Sequence, residues 1–339
     1  MDSNKEIKKI DKELKVFYNE EDYGEIAKEW IHENIEESLE DEDTHPITFY
    51  DFFSELSEDK LDDTLWVLYT KQEKEEAKKY FTQSTAYGYL HVKTADTLWG
   101  CFAEGERFSV RVKQEYTFMS VVARYMGQSL ICGWEKEANY LAQSMINSIE
   151  FGKQEEEGYT IHRLIADGFA WDLAAWFALE LYCKVYDKTF DRKKAEYPKS
   201  MVPYDTVLKN WDSKDLQEID KLTFLLCEKH IEQSQEQKGD QDYFEFGATY
   251  NKLFPYEIFT WFKYREKAGL KNPKTFTHPL MNTPIAKMFL DIKEPLPKPT
   301  ELPYAKELLD KLQEQCPDVE VPEWLDENNE DILPDDFMK

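Results

Sequence analysis

Histidine, cysteine and carboxylate side chains are where chemistry would have to start in this sequence, and their spacing is uninformative for most reactions. The histidines, His32, His45, His91, His162, His230 and His278, are dispersed. Glu29-Trp30-Ile31-His32 places a carboxylate and an imidazole on one helix face. A di-iron bundle needs two such steps plus two further helical glutamates, and only one step is present. Cys227 and His230 share a helix face without a second pair at zinc spacing, so they read as a core thiol and a surface histidine. Asp240, Asp242 and Glu245 open like a calcium loop, but the position that must be glycine is Glu245. No nucleophile elbow, P-loop or dinucleotide fingerprint occurs. No metal, cofactor or catalytic residue is expected.

Two acids remain conspicuous. Asp172 and Glu180 interrupt the apolar run Phe169–Cys183. A carboxylate on an apolar helix must be paired or functional. Arg163 or Arg192 could pair them; the competing reading is a glycosidase-like acid pair.

The elements that position these residues are helical. Apolar residues recur at helical spacing almost throughout, with stripes such as Ile7, Ile10, Leu14 and Phe17. Helices are expected near 58–82, 85–103, 107–131, 134–151, 160–186, 204–211, 214–235, 243–269 and 303–315. Only 12 of 339 residues are glycine, too few for the tight turns of a sandwich or barrel. Trp30, Trp66, Trp99, Trp134, Trp171 and Trp211 are regularly spaced, and Asp-Thr-Leu-Trp occurs twice. The other tryptophan contexts do not agree. The expected fold is all-α, an irregular multi-helix bundle, with a degenerate helical-repeat array as the variant. Its expected parts are an acidic helical arm (1–45), two helical subdomains (46–152 and 153–291), and a proline-rich strap, short helix and acidic tail (292–339). Pro255 would either kink a long helix or begin a new one. Thr277-His278-Pro279 and Thr283-Pro284 mark helix starts.

Charge narrows the function classes. The formal net charge is −27. Residues 1–60 carry 20 acids against 7 bases and residues 317–339 carry 9 against 1, so the ends are acidic and the body close to ordinary. Direct nucleic-acid binding and docking on an anionic membrane both require the opposite surplus. No apolar run is long enough to span a bilayer, the start lacks a signal-peptide core, and Cys101, Cys132, Cys183, Cys227 and Cys316 read as reduced thiols of a cytoplasmic protein. The acid clusters Glu155-Glu156-Glu157 and Asp240/Asp242/Glu245 fall in expected loops, the second beside Tyr243 and Phe244. Acids next to aromatic anchors suit a face that steers and holds a basic protein. These eight residues are the candidate partner-binding set. The rival reading makes Tyr243, Phe244 and Phe246 a staple that opens the next helix.

The segment Gly168-Phe169-Ala170-Trp171-Asp172-Leu173-Ala174-Ala175, followed by Glu180, resembles the Gly-aromatic-Trp and acidic, Ala-rich helix of bacterial immunity proteins paired with PoNe-type DNase toxins. Tyr204-Asp205-x-x-Leu208-x-x-Trp211 is similar too, and Phe254-Pro255-Tyr256-Glu257-Ile258, Arg265-Glu266 and His278-Pro279-Leu280-Met281 extend the likeness over about 80–290. The resemblance implies an all-helical antitoxin that blocks a nuclease-like toxin by stoichiometric binding, without catalysis. A helical hydrolase and a helical-repeat scaffold are the alternatives. Convergent histidine and carboxylate side chains in a cleft would favour the first, a concave stacked surface the second.

Overall fold

A computed structural model describes residues 2–19, 25–103, 118–151, 154–156, 159–161, 170–235 and 243–326. The fold is all-α. In chain order the helices are α1 (Ser3–Asn19), α2 (Glu25–Glu40), α3 (Pro46–Trp66), α4 (Lys74–Ala103), α5 (Met119–Cys132), α6 (Glu135–Phe151), α7 (Leu173–Tyr186), α8 (Tyr204–Lys209), α9 (Leu216–Glu232), α10 (Tyr256–Lys267), α11 (Pro284–Asp291), α12 (Ala305–Gln315) and α13 (Glu323–Asp326). One antiparallel hairpin, β1 (Gln154–Glu156) with β2 (Tyr159–Ile161), is the sheet among the described residues.

α3 and α4 form an antiparallel pair, and its contacts show the register: Ser57 lies beside Ser84, and His91 beside Tyr50. Ser57 and Ser84 exchange hydroxyl-to-carbonyl hydrogen bonds of 2.8 and 2.7 Å, which brings the two backbones close. Gly88 permits the next approach, because a Cβ there would stand 2.3 Å from the Tyr125 ring. α5 is buried on nearly every side and packs against α4, α6, α7 and α10. A helix apolar around its circumference belongs at the centre of a bundle. Gly133, at φ +76°, ends α5 in a left-handed cap that few other residues adopt cheaply.

The strap docks. Leu296 donates its amide to the Cys132 carbonyl and accepts from the Trp134 indole, at 2.9 and 2.8 Å. Farther on, the Pro303 carbonyl accepts from Tyr87 and the Glu301 carbonyl from Gln83. The buried core is continuous from Ile7 to Leu325, so the four expected segments share one interior. α1 belongs to it through Ile7, Ile10, Leu14 and Tyr18.

Several expectations need correcting. The Glu155–Glu156 stretch is a strand, not loop, and α7 begins at Leu173 rather than near 160. The expected helix 243–269 is shorter, since Pro255 caps α10 and starts it afresh. Helix α3 begins at Pro46, twelve residues before the expected start, with the His45 ring accepting the Ile47 amide. The tryptophans occupy unlike places: Trp30 is exposed on α2, Trp66 ends α3, and Trp134 and Trp171 precede helices. They mark no repeat. Cys132, Cys183 and Cys227 are free and buried, but Cys316 is disulfide-bonded, so the thiols are not all reduced.

Candidate protein-binding face

Helix α7 is almost wholly apolar and buried; it carries Glu180, and Asp172 stands at its N-cap. Glu180 is closed off. One Arg192 terminal nitrogen donates to both of its carboxylate oxygens, at 2.6 and 2.8 Å, and the Tyr197 hydroxyl donates at 2.8 Å. The guanidinium lies against the Phe190 and Tyr197 rings, which also pack on Trp176. Burial and the neighbouring Glu180 push the Tyr197 phenol up to about 12. Of the two arginines suggested by the sequence, Arg192 is the partner; Arg163 lies outside the described residues.

The N-terminal end of α7 is built differently. Asp172 precedes the helix but makes no side-chain cap. That task falls to Glu245, whose carboxyl accepts the Ala174 amide at 2.7 Å from 71 residues away. A carboxylate is favoured at a helix N-terminus by the unpaired amides and the dipole. Here burial, and then the neighbouring Asp172, outweigh that and hold the Glu245 carboxyl well above the usual range. Asp172, 1% exposed, accepts the Tyr243 hydroxyl at 2.7 Å. Burial and the Asp172 charge raise that phenol as well.

Over these two acids lies an open aromatic surface. Trp171 and Tyr243 are 50% and 46% exposed, with ring centroids 5.9 Å apart. Ser120, on the first turn of α5, also reaches the Tyr243 hydroxyl. Phe118, two residues earlier, is 49% exposed. Large aromatics held half in water by buried polar anchors are the composition of protein-binding hot spots.

The structure therefore brings Tyr243 and Glu245 of the candidate set together with Trp171 and Asp172. Tyr243 stays exposed at the face. Glu245 turns inward to the helix terminus, so it is not a loop charge facing solvent. Phe244 is half-buried behind it. The backbones of Glu155 and Glu156 lie in β1, while Glu157, Asp240 and Asp242 lie outside the described residues. The helix-staple reading fails in detail: Phe246, not Tyr243, reaches the core, stacking on His230 at 4.0 Å between centroids. Trp171 and Phe118, both exposed, fall outside the candidate set read from the sequence. Trp171 stands in the sequence only as part of the family-like motif, and nothing in the sequence marks Phe118.

His230 is a second correction, being fully buried rather than at the surface. Its Nδ1 meets Glu257 at 3.0 Å, and its Nε2 faces the Asn251 and Lys252 carbonyls at 3.2 Å. A partner on every side makes an interior imidazole affordable. The His230–Glu257 pair is sealed in the core, with both side chains fully buried. His32 likewise faces Tyr304 at 3.0 Å. Among the described residues no cluster of three or more His, Cys, Asp or Glu side chains could hold a metal ion. No helix among them is long and apolar enough to cross a membrane.

Compared with family models, with curated proteins and with solved structures, the chain matches none.

Proposed function

We propose that this chain is an immunity protein that neutralises a basic, nuclease-like toxin by one-to-one binding. The observation that carries the proposal is the Trp171–Tyr243 face, anchored on buried acids at the start of α7. It supplies exposed aromatic anchors on a strongly acidic chain, and it coincides with the segment that resembles immunity proteins of PoNe-type toxins. Acidic stretches attract a basic partner at a distance, and the aromatics then hold it. Such a partner offers the Lys and Arg that would otherwise grip phosphates, so occupying them blocks its substrate.

The hydrolase alternative has less support. Asp172 and Glu180 are eight residues apart, about 12 Å along a helix, beyond the separation that glycosidase carboxylates use. Glu180 is also bound to a guanidinium. Neutralisation would take place in the cytoplasm of the producing cell, where the Cys316 disulfide would be reduced.

The test is co-expression with the toxin-like product of the adjacent gene. Growth should be rescued and a one-to-one complex recovered, with an association rate that falls steeply as salt rises. Failure to protect, or a purified chain that turns over a glycosidic or phosphoester substrate, would overturn the reading.

A further inference from the structure

Helix α3 runs directly into a π-helical turn, Val67–Lys71, and α1 packs against that turn. Ile7, Ile10, Leu14 and Tyr18 seat α1 in the core, while Val16 and Phe17 stay exposed. Charges on α1 are met within the helix, Lys9 by Glu6 and Lys15 by Asp11. The tie to α3 is the Tyr18 hydroxyl, which donates to Asp62 at 2.8 Å. The Tyr18 ring also stacks on Tyr69 of the π-helical turn, with centroids 6.4 Å apart.

The acids on this part of α3 have unequal partners. Lys60 holds Asp59 and Asp63 at 2.7 and 2.9 Å, and Arg124 holds Glu58 at 3.1 Å. Asp62 stands among these three acids with no cationic partner among the described residues, and it accepts from the Tyr18 phenol. A covered carboxylate without a cation is costly to ionise. Burial raises the Asp62 carboxyl to about 7; Asp59, Glu58 and Asp63 add to this, and the Tyr18 hydrogen bond opposes it. Two phenols complete the surroundings. Burial and Asp11 push up that of Tyr69, and burial raises that of Tyr80, whose ring lies 5.7 Å from Lys60 Nζ. Both therefore stay neutral where Asp62 titrates.

We infer that the Tyr18–Asp62 contact is a pH-sensitive latch, closed while Asp62 keeps its proton and loosened when Asp62 ionises, so that α1 leaves its seat. The folded carboxyl titrates above the ordinary aspartate value of 3.8, so its contribution to docking is fully present below about pH 4 and is lost as pH rises through about 7. Between pH 6 and pH 8 the ratio of open to closed α1 rises about tenfold on that linkage. The latch does not depend on the partner-binding reading, because neither Tyr18 nor Asp62 belongs to the Trp171–Tyr243 face.

Amide hydrogen exchange of the full-length chain, corrected for the intrinsic rate at each pH, tests this. Residues 4–18 should exchange well ahead of α5 at both pH values, as a local opening does, and their protection should fall about tenfold from pH 6 to pH 8. Asp62→Asn keeps an acceptor for the Tyr18 hydroxyl but cannot ionise, so its α1 protection should be the same at both pH values. Tyr18→Phe should lower α1 protection at both, because the tie itself is gone. Equal protection of native α1 at pH 6 and pH 8 would overturn the inference, whether or not either variant folds. So would a fall of the same size in Asp62→Asn, which would assign the response to another group. Exchange of α1 and α5 at a common rate would overturn it too, since the opening would then be global unfolding.

Discussion

At Glu180, α7 offers its carboxylate to a guanidinium, a phenol and a box of aromatic rings, and the group is closed within the chain. At its other end, Asp172 is set beside Glu245, and the surface above them is left to Trp171 and Tyr243. Both arrangements bury acids against one helix, the first on it and the second at its N-terminus. The first offsets desolvation with a bidentate cation, which leaves nothing for a partner to use. The second sets two buried acids side by side beneath exposed aromatics, and burial together with their proximity raises the Glu245 carboxyl. The two arrangements lie at different points along one fourteen-residue helix.

Breaking the closed end should have the larger effect on folding. Arg192→Met leaves Glu180 covered without its cation and should cost about 2 kcal/mol in denaturant melts. Adding Glu180→Gln should recover part of that loss; a further drop would mean that the pair is not the relevant unit.

At the open end, Tyr243→Phe removes the hydroxyl that Asp172 accepts and should cost about 1 kcal/mol. Glu245→Gln should act in a pH-dependent way. The folded carboxyl titrates above its unfolded value, so its contribution is fully present below about pH 4.5 and is lost as pH rises through the folded value. Glutamine stays neutral and can still accept the Ala174 amide. The variant should therefore gain on the native chain as pH increases from about 5 to 9. A difference that is flat with pH would show that Glu245 is ionised in the folded state.

Trp171→Ser should change folding least, within about 0.5 kcal/mol, because half the ring is already in water. A large loss of stability would turn the exposed ring into a core residue and weaken the contrast.

How much of this could be read from the sequence follows from how local each feature is. The α-class, several helix positions and the need of Glu180 for an arginine were legible, since periodicity and a buried acid's need for a cation are local signals, whereas the docking of the strap on the body was not. Nor was the α7 terminus. Glu245 reaches it from 71 residues away, and an acid in a run with Asp240 and Asp242 looks like any solvated loop. His230 was misplaced for the same reason: Glu257 and the carbonyls that satisfy it come from a different part of the chain. Helix α3 starts ahead of the expected position because the His45 ring caps it and Pro46 opens it, signals that precede its apolar stripe.

The most direct test of the account is the affinity of the Trp171→Ala/Tyr243→Ala chain for the toxin, compared with the native chain by calorimetry at fixed salt. Loss of at least about a hundredfold in affinity, with a melting temperature changed by only a few degrees, is expected for paired aromatic anchors. Undiminished affinity in a folded double variant would contradict it and place the contact elsewhere on the molecule.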